Sequence, residues 1–148
     1  MKEDSDRSIW IGTNSGGVNH YYPESGRFTY YHLKKYSKGE EYGSNDVKAV
    51  YIDQLRGKVF VGTHAGGLSI IDKKTGNIHL CDNHTKNAIL DIYAIEKADK
   101  NHLWIGTLKG LKKYDIKKIV FAIPSCTEDE RKRILALCSQ TQCKIKML

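Results

Sequence analysis

Ile9-Trp10-Ile11-Gly12-Thr13 returns as Val59-Phe60-Val61-Gly62-Thr63 and again as Leu103-Trp104-Ile105-Gly106-Thr107. Each copy runs on into a glycine turn: Asn14-Ser15-Gly16-Gly17-Val18, then His64-Ala65-Gly66-Gly67-Leu68, then Leu108-Lys109-Gly110-Leu111. The aromatic positions are spaced by 50 and 44 residues. A period of roughly 40–50 residues is that of a four-stranded propeller blade, and such a repeat decides the fold before local propensity does.

Alternation and turn residues place the strands within each unit. In the first unit they predict strands over 8–13, 18–22 and 27–32, with turns at Gly16-Gly17 and Pro23-Glu24-Ser25-Gly26. The segment 34–44 reads as a polar loop. The second unit is complete, with strands over 46–53, 58–63, 68–72 and 77–81; the third supplies 89–97, 102–107 and 111–115. The first unit is expected to lack its opening strand. The sum is a mainly β fold, a partial β-propeller of about two and a half four-stranded antiparallel blades over 1–115. Trp10, Phe60 and Trp104 are expected to lie between blades, where a large aromatic buries most area. A closed ring needs about four to eight blades, so self-association or missing blades is expected.

Composition narrows the function classes. The 148 residues are 40% hydrophobic and 28% charged, with 13 glycines and 2 prolines, a globular balance rich in tight turns. No apolar run approaches the ~20 residues of a membrane span, and the first seven residues lack the apolar centre of a signal peptide. The formal charge of +7 is spread out: residues 1–115 carry 17 Lys and Arg against 14 Asp and Glu, and 116–148 carry 7 against 3. No basic stripe is interleaved with stacking aromatics, so nucleic acid is not an expected partner. Cys81, Cys126, Cys138 and Cys143 form no metal or redox spacing and read as free thiols.

The ordered strings Val47-x-x-x-x-Ile52-Asp53, Val59-Phe60-Val61-Gly62-Thr63, Gly66-Gly67-Leu68 and Ile71-Asp72-x-x-Thr75-Gly76 resemble the two-component regulator propeller repeat. That repeat's consensus is an opening strand ending in aspartate, then L-W-I-G-T, G-G-L, Y-D and T-G-x-F. The third copy matches through Tyr114-Asp115, and the resemblance covers about 8–115. It implies the periplasmic sensor region of a bacterial hybrid histidine kinase, responsive to an oligosaccharide, with the kinase chemistry elsewhere.

After Asp115 the pattern changes. Ile119-Val120-Phe121-Ala122-Ile123 is a continuous apolar run, Ser125-x-x-Glu128 has capping-box spacing, and Ile134, Leu135, Leu137 and Cys138 give an apolar helical stripe. With Lys144-Ile145-Lys146 these predict a short β-α-β segment over 116–148. Glu130-Arg131-x-Arg133-Ile134-Leu135 and Cys143-Lys144-Ile145-Lys146 resemble the N-terminal nucleotide-fold domain of polysaccharide-biosynthesis NDP-sugar dehydratases and epimerases. That resemblance implies a chimeric tail with its seam at 115/116, and a remnant of such an enzyme as the alternative function. The rival for the tail is a strand and helix that complete and cap the last blade.

No catalytic constellation emerges. The six histidines form no compact ligand set, and the expectation is a non-enzymatic protein with no cofactor and no metal. Asn14 and His64 occupy matching turn positions (Leu108 is the third) and are the candidate ligand-binding residues. Asp46, Asp53, Asp72, Asp91 and Asp115 sit at strand ends, where carboxylates accept turn N–H groups. A protein-interaction module is the remaining alternative.

Overall fold

A computed structural model describes residues 1–81 and 91–117. Strands dominate: β1 (Lys2–Glu3), β2 (Ile9–Gly12), β3 (Val18–Tyr22), β4 (Arg27–Tyr31), β5 (Lys35–Ser37), β6 (Glu40–Tyr42), β7 (Val47–Asp53), β8 (Lys58–Thr63), β9 (Gly67–Asp72), β10 (Ile78–Leu80), β11 (Ile92–Asp99), β12 (His102–Thr107) and β13 (Gly110–Asp115). They form antiparallel sheets in the orders β1-β2-β3-β4, β7-β8-β9-β10 and β11-β12-β13, with β5-β6 as a separate hairpin. None of these sheets closes on itself. The tail segments expected at 119–123, after Arg131 and at Lys144 lie outside the described residues, as do Cys126, Cys138 and Cys143. Cys81 is a free thiol.

Two expectations are corrected. The first unit does have an opening strand: Lys2 pairs with Trp10 and Glu3 with Ile9. Two residues are too few to show alternation, so only the pairing reveals the strand. The segment 34–44 is not a plain loop, because Ser37 pairs with Glu40 and Lys35 with Tyr42 across a two-residue Lys38-Gly39 turn. Both turn residues have positive φ (52° and 79°), the geometry whose twist suits a tight hairpin.

The three pentapeptide strands β2, β8 and β12 occupy equivalent second places, and their side chains alternate between the two faces. One cluster joins the first sheet to the second. Trp10, Val18 and Leu33 meet Val47, Val50, Val59, Val61 and Ile71 there. The other joins the second sheet to the third, with Phe60, Leu68 and Ile70 against Ile92, Ile95, Leu103 and Ile105. Along β8 the odd-numbered valines therefore serve one junction and Phe60 the other, which is why the strand is almost continuously buried. Ile116 is also buried in the second cluster, and its N–H bonds the Asn101 carbonyl, so core packing extends past Asp115.

Glycine in the pentapeptide is demanded by this stacking. A Cβ at Gly12 would collide with Cγ1 of Val47, and one at Gly62 with Cγ2 of Ile92. Both clashing groups belong to the opening strand of the following sheet. The threonine has a separate local task. Its hydroxyl donates to the carbonyl of the glycine closing the turn: Thr13 to Gly17 at 2.9 Å, Thr63 to Gly67 at 3.0 Å and Thr107 to Gly110 at 2.7 Å. Those glycines have φ of 73°, 71° and 109°, a region that side chains rarely enter.

Trp104 departs from expectation. Trp10 and Phe60 are fully buried, whereas Trp104 is 38% exposed because its face of the third sheet carries no further described sheet. At Gly106 the atoms nearest an added Cβ are those of Ala94 in its own sheet, the closest at 3.3 Å.

Gly62→Ala should lower unfolding free energy by about 1–3 kcal/mol, the usual cost of overpacking. Combining it with Ile92→Ala should cost less than the two single losses together, by about 0.5 kcal/mol or more, since contacting sites are non-additive. Urea denaturation of the four proteins measures the coupling, and strict additivity would contradict this seating.

Candidate functional site

The two ends of the stacked sheets differ in chemistry. At one end lie the β2–β3, β8–β9 and β12–β13 turns, which carry Asn14, His64 and Leu108. All three residues are exposed. Each of the first two turns rests on the segment entering the next sheet. Val47 N–H donates to the Thr13 carbonyl at 2.8 Å, and Gly17 N–H to the Asn45 carbonyl at 3.0 Å. His64 Nδ1 lies 2.8 Å from Asp91 Oδ1, which also accepts the Ala65 N–H at 2.9 Å. His64 is thereby oriented by the third sheet, while among the described residues no hydrogen bond or ion pair joins it to Asn14.

At the opposite end the strand-end aspartates carry the tight β1–β2 and β7–β8 turns. Asp4 is 4% exposed, yet its carboxylate accepts from Trp10 Nε1 (3.0 Å), Gln54 Nε2 (2.7 Å), Lys73 Nζ (2.9 Å) and its neighbour Ser5 N–H (2.7 Å). Burial pushes this carboxyl up, but those donors outweigh it and hold the group well below the ordinary carboxylate range. Gln54 and Lys73 belong to the second sheet's turns, so Asp4 fastens the first sheet to the second. Asp53, at the equivalent register, performs the same task one sheet on through Arg56. That guanidinium bonds Asp53 at 3.0 Å, the Lys100 carbonyl at 3.1 Å and Asn101 Oδ1 at 3.1 Å.

Three of the strand-end aspartates accept turn N–H groups as their positions suggest, whereas Asp46 pairs instead with Lys48 Nζ at 3.0 Å. Asp72 accepts the N–H groups of Lys74 and Thr75, Asp53 that of Arg56, and Asp115 that of Lys117.

Beside Asp4, the structure assembles Asp6, Ser8 and His20, which spacing alone did not connect. Ser8 Oγ donates to Asp6 Oδ1 at 2.5 Å and lies 2.6 Å from His20 Nε2. The hydroxyl stands between carboxylate and imidazole, whereas a nucleophilic triad needs the imidazole in the middle. Ser8 is also only 2% exposed. His20 stacks on Trp10 at 3.8 Å, and burial pushes its pKa below the ordinary histidine value. The group is a packing element of the first sheet.

A further concavity was not visible in the sequence. A shallow groove of about 320 Å³ runs along the second sheet's outer strand, lined by Lys35, Lys58, Asp72, Asn77, Ile78 and His79. Lys35 Nζ caps the Ile78 carbonyl at 2.9 Å, and Lys58 Nζ pairs with Asp72 Oδ2 at 2.5 Å. Burial, then Lys35, lowers the His79 pKa. Its only local signal was the cross-strand Lys58–Asp72 pairing. Among the described residues no cluster of His, Cys, Asp and Glu is arranged to hold a metal ion, and no helix is long and apolar enough to cross a membrane.

No family model matches the chain, and no curated protein matches it. Solved structures do. The extracellular domain of the hybrid two component system BT3049 from B. thetaiotaomicron is similar over 74% of this chain, with a TM-score of 0.62 and 24% identity. That of the hybrid two component system BT4673 from the same organism is similar over 80% of the chain, at 0.60 and 19%. The chain spans 15% and 17% of those two proteins. At such identities the likeness is one of fold.

Asp4→Asn should destabilise the protein at pH 7 by about 1.5–3 kcal/mol, the scale of hydrogen bonds to a charged group. A depressed folded pKa stabilises above the unfolded value of about 4, and the contribution is lost as pH falls through the folded value. The gap between wild type and variant should therefore close as pH drops below about 4. Denaturation curves from pH 7 to 2 test this, and a constant gap would refute it.

Proposed function

We propose that the three stacked sheets are blades of a β-propeller belonging to the extracytoplasmic, periplasmic sensor region of a bacterial two-component system. The chain binds a ligand and performs no catalysis; signal transmission and phosphotransfer reside in other parts of the system. The observation that carries this reading is the repeated seating of one sheet on the next, at two junctions with the same residue types. The likeness to extracellular domains of two-component systems supports it, as does the ordered motif resemblance.

We place the ligand at the turn end, on Asn14 and His64, with an oligosaccharide as its class. A side-chain amide and an imidazole held at Nδ1 supply the directional donors and acceptors that a polyhydroxylated ligand requires. The groove at Lys58 and His79 is the competing location. It has comparable polar chemistry, but its lysines are already engaged by a carboxylate and a carbonyl.

Titration calorimetry with a panel of oligosaccharides tests both location and class. Saturable heat should appear with at least one glycan, and Asn14→Ala or His64→Ala should weaken it about tenfold or more, a loss of roughly 1.4 kcal/mol. His79→Ala should leave it unchanged. The reverse pattern moves the site to the groove, and no heat from any glycan removes the carbohydrate reading.

A further inference from the structure

Two of the opening strands carry the same irregularity at the same place. In the second sheet Val47 pairs with Thr63 but Ala49 with Gly62, so Lys48 is an extra residue. In the third sheet Ile92 pairs with Thr107 and Ala94 with Gly106, which makes Tyr93 the extra residue. Both are β-bulges, and a bulge bends its strand and re-aims a side chain. Their cause lies in the seating of the sheets. Val47 and Ile92 are the side chains lodged over Gly12 and Gly62 of the preceding sheet. The strand then returns to its own sheet at Ala49 or Ala94, and the residue between is put out of the ladder. Lys48 is exposed, and Tyr93 is 46% exposed.

Both bulges sit at the turn end, beside the candidate ligand residues. Asp46, two residues before Lys48, accepts the His64 N–H through its carbonyl at 2.9 Å, and Val47 N–H donates to the carbonyl of Thr13, which precedes Asn14. Asp91, two residues before Tyr93, has its carboxylate 2.8 Å from His64 Nδ1. Strands β7 and β11 lie against each other, so one ligand can reach both bulges.

We propose that Lys48 and Tyr93 are two further ligand-contacting residues of this end, and that the ligand they take is a neutral glycan. This rests on the carbohydrate-sensor reading, whose site it extends. An exposed phenol ring offers a flat apolar face to the C–H groups of a sugar ring and a hydroxyl at its rim. The Lys48 ammonium lies 3.0 Å from Asp46 Oδ1, so a donor stands beside an acceptor, the arrangement that adjacent sugar hydroxyls require. The same pairs decide the charge. Lys48 stands beside Asp46 and His64 beside Asp91. A uronate or sulfate therefore meets a carboxylate next to each of these basic groups and is disfavoured by like charge.

The test is titration calorimetry on the full chain, with cellotriose, maltotriose, mannotriose and xylotriose as neutral probes and the galacturonic acid trimer as the acidic one. At least one neutral trisaccharide should bind. Tyr93→Ala and Lys48→Ala should each weaken it about tenfold, the scale of one hydrogen bond to a charged group, whereas Tyr93→Phe should cost about twofold or less. Lys97→Ala, at an exposed position toward the far end of β11, should leave binding unchanged. Circular dichroism checks the fold of each, and Tyr93→Leu and Lys48→Gln replace an alanine variant that unfolds. Binding that Asn14→Ala and His64→Ala weaken but the Lys48 and Tyr93 variants do not overturns this inference and leaves the sensor site standing. Loss confined to the bulge variants upholds the bulges and removes Asn14 and His64 from the site. Binding of the acidic trimer alone overturns the neutral assignment, and binding of no probe overturns this inference together with the carbohydrate reading.

Discussion

Everything in this structure depends on one close approach, the backbone of a pentapeptide glycine beneath a branched side chain from the next sheet. Val47 occupies the space that a Cβ on Gly12 would need, and Ile92 does the same at Gly62. The contact sets how near two sheets can come, and so whether Trp10 and Phe60 can be wholly enclosed. A sheet buried on one face only would leave half its alternating apolar residues in water. The second sheet escapes this because both its faces are used, with Phe60 and Val61, neighbours in sequence, serving opposite junctions. Hydrophobic burial supplies the drive, and the missing Cβ supplies the fit.

Polar groups then decide what each aromatic can be. The indole N–H of Trp10 is buried, and a buried donor without an acceptor costs about 1–3 kcal/mol. Asp4 meets that need at 3.0 Å. Phe60 has no such group, and the equivalent Asp53 is instead engaged by Arg56, which reaches across to Lys100 and Asn101. The same strand-end aspartate thus satisfies a tryptophan in one repeat and an inter-sheet arginine in the next. Asp4 does both at once, since Lys73 and Gln54 approach it from the second sheet.

Much of this was legible in the sequence because it is local. Strands β8 and β12 have the predicted bounds, since alternation and glycine turns report on adjacent residues. The turn threonines and strand-end aspartates are local devices too. What the sequence concealed either leaves no local pattern or depends on partners far along the chain. Strand β1 exists only through its pairing with Ile9 and Trp10. The β5–β6 hairpin hid behind Lys38, a residue whose positive φ is unusual outside glycine and asparagine. Trp104 looked like Trp10 because the strings around them match, but enclosure belongs to the neighbouring sheet rather than to the string. The groove at Lys58 draws on four strands and a turn, and Asp4 meets Lys73 across 69 positions. No pattern of short range records either. The candidate residues Asn14 and His64 were legible as equivalent turn positions, but Asp91's hold on His64 was not.

A division of labour inside the repeat follows from these contacts. Glycine at the fourth pentapeptide position, threonine at the fifth and glycine at the turn's close are fixed by contacts a few ångströms away. The residue after the threonine varies in chemistry, and among the described residues only His64 is held by a neighbouring sheet, through Asp91. It is Asn14 in one copy, His64 in another and Leu108 in the third, and all three are exposed. Amide, imidazole and aliphatic side chains occupy equivalent places without disturbing the Thr–Gly hydrogen bond beneath them, which has nearly the same length in every copy. A rigid stack therefore presents a row of positions whose chemistry can differ at little cost to folding. Recognition surfaces are built this way when a scaffold holds variable side chains in register, and the turn end has that property where the Asp4 and Asp53 end, committed to holding sheets together, does not.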